Sequence, residues 1–456
     1  LTGEADPAIV KGLPSAGPDG PSTRETPDMR PLILLTLLAL TVQASARAEA
    51  PARHTWFADA KLGLSVSWGI HSLVGKGEWV MERDKLPIDE YEKLPTRFAA
   101  RAFHADDWAK AAKGAGARYL IVTAKGHDGF CLFDTKGTNY DAVDATPFAK
   151  DPLKPLAEAC RGQGIKLVLR YSLLDWHHPD YFPRGKTGRD THRPETGEWS
   201  RYVTYYQDQI RELCTNYGEI GGLWLDGVWD RPDAPWDLAK TYEIIHTLQP
   251  KALIANNHHR PLGAGEDVQI VDVSLADTPA VEVDPALPSE TATPVERSSG
   301  FGGRDRDLKA TETLIHALLR ASARGSNLAL TLAARPDGSL DPDAVERLRD
   351  LGAWLDKNGQ SVYATTRGPI EPAAWGVSTE KGVTIYLHVT NPRVPVVIPK
   401  RLETSTFTTL AGEKLVTHPT PQGIRIEIPE TAKTPIDTIL LVRPIVFIPD
   451  IPARKR

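Results

Sequence analysis

Cysteine is scarce in this chain of 456 residues: Cys131, Cys160 and Cys214 are the only three, and none stands in a CxxC pair. A disulfide framework and a zinc-thiolate site are both excluded by that count and spacing, and the thiols read as small buried hydrophobes. An excess of positive charge is also lacking. The 54 Lys and Arg face 59 Asp and Glu, a formal charge of -5, and no long basic stripe is present. This argues against nucleic acid as a partner. Neither GxGxxG nor GxxxxGK[ST] occurs, so no loop built to cradle nucleotide phosphates is present.

Long apolar runs are missing as well. The longest, Leu32 to Val42, falls short of the roughly 20 residues that span a bilayer. Met29-Arg30-Pro31 precedes it and the small residues Ala44, Ser45, Ala46 and Ala48 follow, which is the pattern of a secretory signal over residues 29–48. Cleavage after Ala46 or Ala48 is expected, with residues 1–28 as an upstream extension. The mature chain is then secreted or periplasmic and holds no membrane segment.

What is present is length, alternation and aromatic surface. The length exceeds what one core usually serves, so two folded units are expected. Short apolar runs at 62–67, 119–123, 166–171, 222–226, 252–256, 268–271 and 328–332 alternate with helical patterns at 106–115, 152–163, 200–217, 236–248, 308–323 and 342–357. That alternation predicts an α/β fold, an irregular (β/α)8-type TIM barrel over residues 52–358 with one strand weak or missing. From 360 to 448 the pattern becomes strands punctuated by Pro and Gly, which predicts a C-terminal antiparallel β-sandwich. Residues 276–306 show no regular pattern and read as a long functional loop.

In such barrels reactive groups collect at the carboxyl ends of the strands. Those ends here are Ser67-Trp68-Gly69, Lys125-Gly126-His127-Asp128, Asp175-Trp176-His177-His178, Asp226-Gly227 and Asn256-Asn257-His258-His259. Eleven Trp and twelve Tyr offer flat faces suited to sugar rings, although ordinary cores use them too. Asp226 closes the apolar run Gly222-Leu-Trp-Leu, where a carboxylate would be held rigidly as a nucleophile requires, or would serve as a buried cap or ion-pair partner. Adjacent residues on a strand point to opposite faces, so each His doublet offers one imidazole to any one ion, and a metal site is disfavoured.

These segments, together with Trp56-Phe-Ala-Asp-Ala-Lys-Leu-Gly63, Gly77-Glu78-Trp79, His127-Asp-Gly-Phe130, Gly265-Glu266-Asp-Val-Gln-Ile270 and Leu287-Pro-Ser-Glu290, resemble the α-L-fucosidase family of retaining glycoside hydrolases. The resemblance extends from about His54 to Pro444. It implies release of terminal α-L-fucose, or a related L-sugar, from a fucosylated oligosaccharide or glycan through a double displacement by two carboxyl groups about 5–5.5 Å apart, without metal or cofactor. Asp226 is the implied nucleophile. Glu290 is the implied acid/base, expected on the long loop, with Asp272 and Glu266 in reserve. By resemblance His127 holds the 2-hydroxyl, Glu78 and Trp79 hold the 3-hydroxyl side, and Tyr171, Trp176, His177 or His178 and His258 or His259 line the pocket. Ser67 and Trp68 complete the set.

Relatives carry His where this chain has Ser67 and Gly126, and those imidazoles contact the 3- and 4-hydroxyls of fucose. Two expectations follow: a pocket enlarged on that edge, or a sugar-binding protein that turns over slowly or not at all. A homo-oligomer is compatible with the sequence and not fixed by it.

Overall fold

The computed structural model describes residues 52–193, 195–271, 284, 286–296 and 307–444. The expected signal and upstream extension lie outside them. A helix, α1 (Ala52–Ala60), leads into eight parallel strands: β1 (Leu62–Ser67), β2 (Tyr119–Lys125), β3 (Lys166–Ser172), β4 (Gly222–Asp226), β5 (Leu253–Asn257), β6 (Gln269–Val271), β7 (Ser289–Pro294) and β8 (Asn327–Ala333). Between and after them run α2 (Ala105–Gly114), α3 (Leu153–Gln163), α4 (Trp199–Asn216), α5 (Leu238–Leu248), α6 (Thr311–Ala323) and α7 (Pro342–Asn358).

The strands pair in the order β5-β4-β3-β2-β1-β8-β7-β6, and a parallel bridge between Ala255 and Val268 joins the two ends of that sheet into a barrel. Side-chain alternation sorts each strand. On β1, Leu62, Leu64 and Val66 pack outward with the helices, while Gly63 lies under the Tyr119 ring, so close that a Cβ would meet it at 2.2 Å. Inside the barrel, Tyr119, Ile121, Val168, Trp224, Leu253 and Ala329 form one cluster with Phe57 of α1. Helix α1 therefore plugs the amino end. Asn327 Nδ2 donates to the Phe57 carbonyl at 2.7 Å, and Arg53 Nε lies 2.7 Å from Asp267 Oδ1, which His54 Nε2 also approaches to 2.7 Å.

The eighth strand corrects the reading of 276–306 as patternless. Strand β7 reads Ser-Glu-Thr-Ala-Thr-Pro, with no large apolar residue to mark it, yet it pairs in parallel with β6 and β8. Register then fixes its height. From Asp226 the partners run through Asn257 and, two places beyond the Ala255–Val268 bridge, through Ile270 to Glu290. Followed the other way, from Glu290 through Asn327, β1, β2 and β3, the same level arrives at Gly218, a mismatch of eight residues with Asp226 and the shear of a (β/α)8 barrel. Spread evenly, that is about one residue per strand, so Glu290 lies about three residues, roughly 10 Å, below Asp226 along the barrel.

Beyond α7 the chain forms two antiparallel sheets. One has the order β13-β16-β11-β10-β9, from β9 (Thr366–Arg367), β10 (Gly376–Lys381), β11 (Thr384–Val389), β13 (Thr406–Thr409) and β16 (Thr438–Arg443). The other has the order β12-β15-β14, from β12 (Val396–Ile398), β14 (Val416–Thr420) and β15 (Gly423–Glu427). Ile385, Leu387, Leu440 and Val442 of the first face Val396, Ile398, Ile424 and Ile426 of the second, a small sandwich core. A contact from His316 Nε2 of α6 to the Ile436 carbonyl at 2.7 Å ties the sandwich to the barrel side, and a sealed His388–Asp437 pair at 2.7 Å lies within the sandwich itself. No helix among the described residues is long and apolar enough to cross a membrane.

At the carboxyl end of β2, the fully buried Lys125 ammonium meets Asp175 Oδ2 at 2.9 Å, donates to the Ser172 carbonyl at 2.8 Å, and lies 4.8 Å from the Tyr171 ring centre. Burial alone would raise the Asp175 carboxyl, but Lys125 together with His178 and His177 outweighs it and holds the pKa down to about 2. This pair fastens the loops after β2 and β3 to one another. Lys125→Met is expected to lower the unfolding free energy by about 3–5 kcal/mol in a urea titration at pH 7, because it strands a buried carboxylate. The Asp175 contribution should persist above pH 4 and disappear as pH falls through about 2.

Candidate active site

Strand β4 sends Trp224 and Asp226 inward and Leu223 and Leu225 outward. The chain turns directly after Asp226 through Gly227, whose φ of 105° is open to glycine; a Cβ there would also strike Leu174 N at 2.6 Å. The Leu173 amide donates to the Asp226 carbonyl at 2.7 Å, locking the ends of β3 and β4 together. The carboxylate is then held on both oxygens. Oδ2 accepts from Arg170 Nη2 at 3.1 Å, and Oδ1 accepts from Trp229 Nε1 at 3.0 Å and Asn257 Nδ2 at 3.4 Å.

Arg170 is also gripped by Glu78 through two bonds of 2.9 and 2.8 Å. Burial pushes the Glu78 carboxyl up, but the guanidinium overrides it and holds the pKa at about 2. Burial likewise works against the Arg170 charge, and the two carboxylates more than offset it, raising its pKa. One positive charge is thus shared by two negative ones. The net negative charge favours a positive charge developing beside Asp226, as at the anomeric carbon of a sugar losing its leaving group.

His127 Nε2 stands 3.9 Å from Asp226 Oδ2. Its Nδ1 lies 2.7 Å from Ser172 Oγ, and that hydroxyl already donates to the Leu174 carbonyl at 2.5 Å. Ser172 must therefore accept, which puts the imidazole proton on Nδ1 and turns a bare Nε2 toward the pocket. Burial, outweighing the pull of Asp226, lowers the His127 pKa and keeps the ring neutral. A ligand hydroxyl can donate to it. Aromatic rings wall this space: Trp79 lies 5.1 Å from His127 and 5.5 Å from Trp176, it stacks on Trp229 at 5.7 Å, and Trp229 stacks on His259 at 6.0 Å.

Of the residues singled out from sequence, the structure thus gathers Asp226, Glu78, Trp79, His127, Trp176 and His259. Ser67 ends β1 opposite Ala333, half-buried. Three others are misplaced by parity, each standing one residue after an inward-facing position. Trp68 is buried among Phe98, Phe103, Trp108 and Phe148, and its Nε1 donates to the Arg335 carbonyl at 3.0 Å. Tyr171 faces α4 and donates to Gln209 Oε1 at 2.6 Å. His258 pairs with Glu266 at 3.0 Å, and that carboxylate also accepts from Tyr242 of α5 at 2.6 Å. These are packing and framework residues.

Neither ring of the first His doublet reaches Asp226: His177 stacks on Tyr140 at 3.9 Å and meets Glu92 at 2.6 Å, while His178 packs on Tyr202 and Tyr205. Sequence reasoning missed Arg170, Ser172, Trp229 and Asn257. Arg170 carried a signal, since it is level in parity with Val168 and Ser172 and is the charged residue nearest the carboxyl end of β3.

Glu290 departs most from expectation. It is the second residue of β7, not part of a loop, and is buried with the Tyr119 hydroxyl as its hydrogen-bond donor. Tyr119 begins β2 at the amino end of the barrel. Burial raises the Glu290 pKa to about 8, with the Tyr119 hydrogen bond opposing only part of that rise. Its partners and those of Asp226 do not overlap. Asp272, the residue after β6, lies outside the described residues.

A closed (β/α)8 barrel with a pinned, electron-rich carboxylate and an aromatic wall at the carboxyl ends of its strands defines a glycoside hydrolase. The pattern of the alpha-L-fucosidase family matches residues 41–360, and the chain belongs to that family. Tissue alpha-L-fucosidase of Homo sapiens is 27% identical over 407 residues, covering 80% of this chain and 82% of the relative, and plasma alpha-L-fucosidase of Homo sapiens is 26% identical over 73% and 74%. Among solved structures, alpha-L-fucosidase isoenzyme 1 from Paenibacillus thiaminolyticus superposes with a TM-score of 0.77 at 28% identity, covering 86% of this chain and 98% of the other. The Thermotoga maritima alpha-fucosidase in complex with fucose shares the fold, with a TM-score of 0.70 at 24% identity, over 85% and 96%.

Two measurements check this geometry. Trp229→Phe keeps the ring and deletes the donor to Asp226, and is expected to lower kcat/KM on an aryl α-L-fucoside by about 10- to 100-fold at unchanged fold. Glu290→Gln is expected to keep kcat/KM within about 10-fold of the parent. Because the folded Glu290 pKa lies above the unfolded value, the parent loses stability as pH rises toward about 8. The melting temperature of the Gln variant should therefore gain on the parent by about 1–2 °C per unit between pH 5 and 8, then level off. A difference independent of pH would refute the assignment.

Proposed function

We propose that the chain is a retaining exo-α-L-fucosidase that acts on terminal fucose of an oligosaccharide or glycan, with Asp226 as nucleophile. The observation that carries this reading is the Asp226 carboxylate, oriented by Arg170, Trp229 and Asn257 at the carboxyl end of β4. An Asp226 oxygen attacks the anomeric carbon, the glycosidic oxygen leaves with a proton from the acid/base, and a covalent fucosyl-enzyme forms. Water, deprotonated by the same acid/base, then displaces the sugar with overall retention. Glu78 keeps lone pairs free beyond those used by Arg170, and with Nε2 of His127 it accepts hydroxyl protons from the glycone.

Glu290 sits too deep for the acid/base role, and Glu266 is committed to His258, Tyr242 and the Gly263 amide. We assign the role to Asp272, which directly follows Val271 at the carboxyl end of β6. Export of the mature enzyme rests on the 29–48 pattern alone and belongs to this proposal. The replacements at Ser67 and Gly126 favour one other reading, a sugar-binding protein without turnover.

The test follows the anomer first released from 4-nitrophenyl α-L-fucoside by NMR. Retention is expected, with Asp226→Ala losing at least about 1,000-fold in kcat and azide restoring turnover as the β-fucosyl azide. Asp272→Asn should spare this activated substrate, lose activity on natural fucosides, and yield the α-fucosyl azide. Inversion, or full activity in Asp226→Ala, would sink the mechanism, and fucose binding without turnover would select the binding protein.

A further inference from the structure

Beside the Asp226 cluster stands a histidine with no assigned part. Strand β1 ends at Ser67, and the turn Ile70–Leu73 carries His71 back over Gly69, where a Cβ would lie 3.1 Å from His71 Nδ1. The residue is 4% exposed. The charges that act on its ring are Asp128, Glu78, Arg170 and His127, so the imidazole lies among the groups that surround Asp226. Burial is the largest influence on its pKa and lowers it, keeping the ring neutral, with one donor and one acceptor.

Neither ring nitrogen is hydrogen-bonded by another of the described residues, and neither counts among the sealed polar atoms without a partner, as the Ser72 hydroxyl does. Each therefore keeps some accessible surface. Of these charges, the Asp128 carboxylate is fixed by the Tyr91 hydroxyl at 2.8 Å and the Phe130 amide at 3.1 Å. A side chain at Gly126 would begin 2.6 Å from Asp128 Oδ1, so the glycine leaves the room that this carboxylate fills.

Buried polar atoms are costly unless partnered, and a pocket that keeps an imidazole unpaired among charges is built to receive a partner from outside. We propose that His71 is a ligand for one ring hydroxyl of the glycone, and that it sets specificity on the β1–β2 edge of the pocket. A sugar hydroxyl both donates and accepts, matching a neutral imidazole whichever nitrogen carries the proton. Asp128, under its two donors, is a fixed charge near the ring. This inference rests on the fucosidase reading and adds a residue to it.

The experiment uses the full chain and four 4-nitrophenyl α-L-fucosides: the parent and its 2-, 3- and 4-deoxy forms. His71→Ala is expected to lower kcat/KM on the parent by about 10- to 100-fold, mostly through KM, and to cost nothing further on one of the deoxy substrates, the one lacking the hydroxyl that His71 holds. His71→Gln, which keeps a donor and an acceptor, should recover part of the loss. An equal loss on all four substrates, or no loss on any, overturns the proposal. Should either variant fold poorly, imidazole NMR of the unaltered protein decides: His71 ring resonances must shift on saturation with L-fucose, and their invariance while fucose binds refutes the role. Absence of both turnover and fucose binding in the unaltered protein would instead retire the fucosidase reading.

Discussion

One guanidinium, that of Arg170, answers to two carboxylates, and the arrangement of the pocket follows from that sharing. Glu78 takes two of its N–H groups and Asp226 takes part of a third interaction at 3.1 Å. A dedicated counter-ion would cancel the Asp226 charge in full. Sharing leaves the carboxylate oriented and only partly compensated. The donors on its other oxygen, Trp229 and Asn257, are neutral, so they direct the carboxylate without cancelling its charge.

Each partner reaches this point from a different strand or loop, which makes the pocket a property of the closed barrel. Arg170 comes from β3, Asp226 from β4, Asn257 from β5, His127 from the loop after β2, and Glu78 from the chain beyond β1. Register between these strands sets their relative heights, and Lys125 binds the loops that follow β2 and β3. Arg170, half-buried among its neighbours, connects the group electrically, while the backbone bond from Leu173 to Asp226 connects it mechanically.

Much of this was legible in the residues. Seven strands were visible because their outward faces are rich in Leu, Val and Ile, and Asp226 stood out as a charge ending an apolar strand. The eighth strand escaped because β7 is built of small polar residues whose partners supply the apolar surface. Glu290 went with it: a glutamate read on a loop proved to be a buried rung of the sheet. Trp68, Tyr171 and His258 were chosen by residue type, yet a single step along a strand reverses the face, so type without parity put them in the pocket. Trp229 and Asn257 could not be ranked from sequence, since their roles depend on the bend at Gly227 and on β5 lying beside β4.

The plug formed by α1 limits where the chain can be cut. Phe57 closes the base of the barrel over Tyr119 and Trp224, and Arg53 and His54 anchor the plug to Asp267, more than 200 residues further along the chain. A protease cutting ahead of α1 has to stop short of Arg53 to leave those anchors intact. A cut a few residues later would pull the stopper and admit water to the apolar interior and the buried Tyr119–Glu290 pair, spoiling the enzyme from the end opposite its catalytic mouth.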